Sequence, residues 1–198
     1  MSEYGYIPES PAQSYRDNKG IFTVKDVYDL TNEDKWSSLG ELHLIETKTF
    51  SSVSSVIFTE IKEDIYDVHY ITIDNFQQDG GANYGLRWLL SNDGGSTYET
   101  SNYKMAYLNS TTGGSVTDNR DTSRNHFQQT VVSADKDSTP RSRGGGYIYM
   151  YHAGDPSKMT FQTNQSFSGE TGIGSAFGGA VYTPKETINA FKFDDFGS

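Results

Sequence analysis

Three sets of residues in this chain have types and spacings that could do chemistry. The first is paired carboxylates, Glu60 with Glu63 and Asp194 with Asp195. Two acids flanking a glycosidic bond are the minimum equipment of a glycosidase. Here both pairs fall in turn-like or terminal sequence, and acid pairs at such spacing arise readily by chance. The second set is basic: Arg120, Arg124, His126, Arg141 and Arg143 within a polar stretch. Guanidinium groups grip carboxylates and acidic sugars bidentately, while the competing reading is solvated loops with no specific partner. The third is Gly-rich, Gly172-Ile-Gly-Ser-Ala-Phe-Gly-Gly-Ala180. A dinucleotide loop needs G-x-G-x-x-G between a strand and a helix. That spacing is missing and strand residues follow, so the small residues serve bending or close packing of a strand.

Other catalytic signatures are missing from the sequence. It contains no Walker lysine loop, no H-E-x-x-H and no G-x-S-x-G elbow. Ser91-Asn-Asp-Gly-Gly-Ser-Thr97, centred on Asp93, offers oxygens that Ca²⁺ could use but lacks the spaced carboxylates of a calcium loop. His69 sits inside an apolar strand pattern and reads as a hydrogen-bonded structural histidine. The expectation is a non-enzymatic protein with no cofactor and no metal.

Charge and composition narrow the partners. The net charge is −10, and phosphate binding needs clustered Lys and Arg, so nucleic acid is not expected as a partner. Cysteine is absent, which removes disulfides and thiolate zinc sites. No apolar run reaches the ~18–20 residues that span a bilayer, and the first twenty residues have neither a basic start nor an apolar core of a signal peptide. Synthesis in a cytoplasm without membrane insertion is the expectation. Hydrophobic residues are only 34% of the 198, whereas 14 Tyr and 11 Phe can supply much of the buried area.

The elements that must position these groups are mostly strands. Short alternating segments recur from Glu41 onward, separated by Gly, Ser, Asn and Asp: 41–50, 55–61, 65–74, 84–90, 103–108, 147–152, 159–161, 179–182 and 187–193. Such regular spacing predicts an all-β antiparallel sandwich, jelly-roll-like, over residues 41–198. Within Ile65–Asp74 both alternate rows hold apolar groups, which suits a central strand. Residues 109–146 are polar and Gly-rich and read as a long loop region with one strand at His126–Val132. Arg120, Arg124, Arg141 and Arg143 would then be loop residues, alongside Asp93, Tyr98 and Tyr103 of the neighbouring segments, as a candidate ligand surface.

Ahead of the sandwich, residues 1–20 read as an extended arm. Pro8 and Pro11 resist helix, and Tyr4, Tyr6, Ile7 and Tyr15 give the arm side chains to dock with. Residues 21–40 read as a short helical segment. Thr23 is an N-cap with Asp26 three residues on, Val24, Val27 and Tyr28 share a face, and Thr31 is expected to cap a second turn through Lys35 and Trp36. That face either covers the chain's own core or meets another subunit.

Several of these stretches are similar to known sequences. Tyr6-Ile-Pro-Glu-Ser-Pro11 followed by Gly20-Ile-Phe-Thr-Val-Lys-Asp-Val-Tyr-Asp-Leu30 resembles the starts of virion structural proteins from tailed marine bacteriophages, cyanophages especially. Leu44-Ile-Glu-Thr through Val56-Ile-Phe-Thr, Tyr66-Asp-Val-His-Tyr70 and Ser91-Asn-Asp-Gly-Gly-Ser-Thr-Tyr98 resemble a β-sandwich module of phage tail-fibre and other virion proteins. The likeness covers roughly residues 6–105. It implies a structural role in the virion, on the tail, fibre apparatus or capsid exterior, with other virion proteins and copies of itself as partners. It supplies no catalytic residues. The assembly surface would comprise Tyr4, Tyr6, Ile7, Tyr15, Val27, Tyr28 and Trp36. The alternative is a host-surface glycan-binding module using loop aromatics and polar groups such as Tyr98, Tyr103 and Arg124.

Overall fold

The computed structural model describes residues 13–14, 17–18, 23–33, 42–77, 86–129, 143–169 and 173–194. The chain divides into two compact units, Met1–Leu44 and Ile45–Ser198.

In the first unit, β1 (Gln13–Ser14) and β2 (Asp17–Asn18) form a short antiparallel pair. Helix α1 runs Val24–Asn32. Its start follows from sequence chemistry: the Asp26 amide donates to the Thr23 hydroxyl at 3.2 Å and the Thr23 amide donates to the Asp26 carboxylate at 2.8 Å. This reciprocal capping box satisfies two amides that the helix cannot. The bonds from Thr23 hold the Asp26 carboxyl below its usual pKa. Thr31 does not start a second turn. It lies inside α1, where its hydroxyl donates to the Val27 carbonyl at 2.7 Å. No residue of the helix is buried. Residues 34–40, Trp36 among them, lie outside the described residues.

The second unit is an all-β sandwich of two antiparallel sheets, with its strands in chain order β3 (Ser55–Phe58), β4 (Val68–Phe76), β5 (Leu86–Ser91), β6 (Tyr103–Thr111), β7 (Val116–Arg124), β8 (Phe127–Gln129), β9 (Arg143–Tyr151), β10 (Thr160–Gly169), β11 (Ile173–Tyr182) and β12 (Ala190–Asp194). One sheet has the order β4-β9-β10-β11-β6-β7 and the other β3-β12-β5-β8. If the meander β9-β10-β11 is counted as one strand, the eight positions fall in the orders 1-8-3-6 and 2-7-4-5. That is the winding of a jelly roll with one extra hairpin in its seventh strand. An odd number of strands at that position keeps both ends antiparallel to their neighbours: β9 pairs antiparallel with β4 and β11 with β6.

Three sequence expectations change. Residues 42–50 take no strand and pair with no neighbour among the described residues, and Leu42 and Leu44 are exposed. Among the described residues, strand β4 is the edge of its sheet and pairs with β9 alone. Residues 109–146 are not one long loop. They hold the end of β6, a turn at 112–115 in which the Thr111 amide bonds the Ser115 carbonyl, all of β7 and β8, and the start of β9. β7 reads VTDNRDTSR because it is an outer strand with both faces largely exposed, so it has no apolar row to reveal it.

The core lies between the sheets and is built of rings. Trp88, Phe127, Tyr103, Ile148, Met150 and Tyr182 are essentially fully buried. Trp88 meets Phe127 at 4.8 Å between centroids, Phe127 meets Tyr103 at 4.7 Å, and Tyr103 meets Tyr182 at 5.1 Å. Tilted and edge-on pairs at these distances each add ~0.5–1.5 kcal/mol beyond burial. A few large rings thus compensate for the lean apolar composition.

Candidate functional site

The alternation that fills the core also decides what the six-stranded sheet shows outside. In β9, Ile148 and Met150 point inward, so Tyr147, Tyr149 and Tyr151 point outward. Register then carries the outer row across the sheet: Tyr149 pairs with Tyr70 and Thr163, Tyr151 with Val68 and Phe161, and Gly145 with Phe167. Tyr70 and Tyr149 stand 4.8 Å apart, Tyr147 and Tyr149 5.8 Å, and Tyr149 and Tyr151 6.3 Å. Phe161, Phe167 and Phe177 are 44%, 53% and 55% exposed. From Gly145 to Tyr151, Phe161 to Phe167 and Ser175 to Val181, no outward position of the three central strands is charged. An aromatic, charge-free face of this extent on a chain of net charge −10 has the composition of an interface core. It also explains why β4 carries apolar groups on both rows while lying at an edge.

The basic residues do not converge. Arg124 pairs with Tyr103 at one end of the six-stranded sheet, and Arg143 pairs with Gly169 at the other. Nine strand residues separate the two ends, about 30 Å at ~3.3 Å each. Arg120 is exposed on the outer side of β7, opposite Ala106. Arg124 is half-buried and committed locally: its guanidinium bonds Asp121 at 3.0 Å and Gln128 at 2.7 Å and lies 3.3 Å from the His126 ring. Burial, then the positive charges of Arg124 and Arg87, push His126 down to about 4. It is a neutral ring in a structural network. Arg141 lies outside the described residues.

The loop after β5 is likewise occupied with itself. Asp93 accepts from the Thr97 amide at 2.8 Å, from the Thr97 hydroxyl at 2.7 Å and from the Ser91 hydroxyl at 2.8 Å. These bonds bring its pKa down to about 2. The Tyr98 ring lies under the Lys192 ammonium, 4.5 Å from nitrogen to centroid. Tyr103 is fully buried, so its expected place on a ligand loop is corrected: it is a core residue. Burial raises its pKa. His69 is buried with Nε2 2.8 Å from the Ile61 carbonyl oxygen, and desolvation lowers its pKa.

On α1, Val27 is half-buried and Tyr28 is 66% exposed. Tyr4, Tyr6, Ile7 and Tyr15 lie outside the described residues, as does Trp36. Among the described residues, no three His, Asp or Glu side chains cluster as metal ligands, and no helix is long and apolar enough to cross a membrane.

Sequence reasoning missed the outer sheet face. The signal was present in Tyr147-Ile-Tyr-Met-Tyr151, where rings alternate with aliphatic groups. A strand with apolar residues on both rows has two faces to cover, and the sandwich interior covers only one. Comparison with known proteins finds no matching family model, no similar curated protein and no similar solved structure.

Proposed function

We propose that this chain is a non-enzymatic assembly module of a virus particle, a structural β-sandwich carried on an N-terminal arm and helix. The observation that carries the reading is the aromatic outer face of the six-stranded sheet, free of charge across β9, β10 and β11, a composition that fits an interface better than a reaction site. The shifted titratable groups support it in a second way. Asp93 and Asp155 are held low by hydrogen bonds within their own turns, Asp155 accepting from the Ser157 hydroxyl and amide, and Asp121 is held low by the Ser123 amide within β7. His69, His126 and Tyr103 are shifted first by burial. Each shift has a structural cause. Catalytic shifts belong to groups gathered in a cleft; here Asp121 and His126 are neighbours tied together through Arg124, and Asp93, Asp155 and His69 lie elsewhere with local hydrogen bonds or burial as their causes.

The resemblance of residues 6–105 to phage virion proteins supports reading the particle as that of a tailed bacteriophage. Its partners are other virion proteins and copies of itself. Glycan binding by Tyr98, Tyr103 and Arg124 gains no support, because one is buried and another is bound into a local network. Quantitative mass spectrometry of particles purified from the virus that encodes the chain tests the proposal. The expected result is peptides of this protein at several copies per particle. Their absence from infectious particles would overturn it.

A further inference from the structure

We infer that the outer face of the six-stranded sheet docks against the same face of a second copy of this chain, giving a two-fold, sheet-on-sheet dimer. The inference deepens the assembly reading by naming the partner of its face.

Three observations select a second copy. The first is charge. Two chains of net charge −10 repel one another wherever their acidic surfaces meet. The outer rows of β9, β10 and β11 are where that repulsion is least, since every position from Gly145 to Tyr151, Phe161 to Phe167 and Ser175 to Val181 is neutral. The charged outer residues lie on the flanking strands, as with Lys104 of β6 and Arg120 and Asp118 of β7.

The second is area. Five adjacent strands, β4 to β6 in sheet order, at ~4.8 Å spacing and ~30 Å length give a face of about 700 Å² in projection. A standard stable interface buries about 800 Å² per partner, and projecting rings raise the accessible area above the projected one. A short peptide or a single sugar would leave most of this face wet.

The third is relief. Large and small residues alternate on the face. Phe161, Phe167, Phe177 and Leu108 stand out at 36–55% exposure, while Gly179, Ser175 and Ala106 lie low between them. A face carrying both knobs and hollows can interdigitate with its own copy across a two-fold axis, as the two inner faces of a sandwich do at ~10 Å separation.

The test is sedimentation velocity on the full chain over a concentration series up to about 100 µM, the range in which micromolar dissociation constants are read. A double variant, Phe161→Lys with Phe177→Lys, puts two charges on the face at exposed positions that do not support the core. Ile57→Lys, an exposed position on the other sheet, is the matched control. The wild type and the control are expected to dimerise, and the double variant to sediment as a monomer with its dissociation constant raised at least ~100-fold and its circular dichroism unchanged. A monomeric wild type, or a double variant that still dimerises, would overturn the inference. So would a monomeric wild type that binds host polysaccharide in a way the double variant loses, which would give the face to a glycan. Because purified protein suffices, the result is separate from whether the chain is found in particles. Dimerisation by a protein absent from particles would sink the virion reading and leave this interface standing.

Discussion

The Tyr103 hydroxyl accepts a hydrogen bond from the Leu90 amide at 3.1 Å, joining β6 of one sheet to β5 of the other. The bond answers a specific need. β8 begins only at Phe127, so its ladder covers β5 on that side as far as Trp88, the partner of Phe127. Leu90 is fully buried beyond that point. Its carbonyl accepts from the Glu99 amide at 2.9 Å and its amide donates to Tyr103, whose hydroxyl in turn donates to the Glu99 carbonyl at 3.1 Å. Tyr103→Phe keeps the ring stacking and orphans the Leu90 amide. Urea denaturation is expected to show a loss of about 1–3 kcal/mol with unchanged far-UV circular dichroism. A loss below ~0.5 kcal/mol would mean that the amide finds another partner.

Stability should fall as pH drops from about 6.5 toward 4. His126 has its folded pKa lowered from 6.5 to about 4, so between those values the unfolded chain binds a proton that the folded chain does not. Stability therefore rises with pH through this window, by about 1–3 kcal/mol at a buried site. The groups facing the ring are Arg124, Arg87, Asp194, Asp121 and Asn125, and the two guanidiniums oppose its protonation. Thermal melts of the wild type and His126→Gln at pH 7, 5.5 and 4.5 check this. The variant is expected to lose part of the pH dependence, the remainder belonging to His69, which shifts in the same direction.

Gly154 is required by closeness. A Cβ built there would lie 1.9 Å from the Glu63 carbonyl oxygen, a backbone atom that cannot swing aside. Gly154→Ala should destabilise the sandwich by about 1–3 kcal/mol, read as a lower denaturation midpoint at unchanged m-value. Gly94→Ala offers a contrast within the same fold: no atom lies within 4 Å of its Cβ position, and its φ of +73° makes backbone strain the only penalty.

In the N-terminal unit, Thr23→Ala removes the hydroxyl that receives the Asp26 amide. Helix α1 should lose about 1 kcal/mol. Faster amide exchange in Val24–Asn32, with the β-sandwich amides unaffected, is the expected signature.

Much of the sandwich was legible because its strands alternate. Val68–Phe76 and Tyr103–Thr111 show their inward rows in sequence, Leu86–Ser91 reads as a short apolar run buried on both rows, and the capping box at Thr23 and Asp26 was readable from residue type and spacing alone. β7 was hidden, because an outer strand exposed on both faces carries no apolar row. The segment 42–50 misled in the opposite way: Leu42, Leu44 and Ile45 have strand-like composition, yet no neighbour pairs with them among the described residues. Tyr103 was misplaced because aromatic type does not distinguish a loop ring from a core ring. The outer aromatic face was missed for a related reason. Tyr147, Tyr149 and Tyr151 reveal a second apolar face only after Ile148 and Met150 are known to point inward.

A density map of the intact particle tests the central claim most directly. The expected result is several copies of this sandwich with the outer face of β9, β10 and β11 covered by a second copy and Phe161, Phe167 and Phe177 buried. A map in which the sandwich is present with that face open to solvent would contradict it.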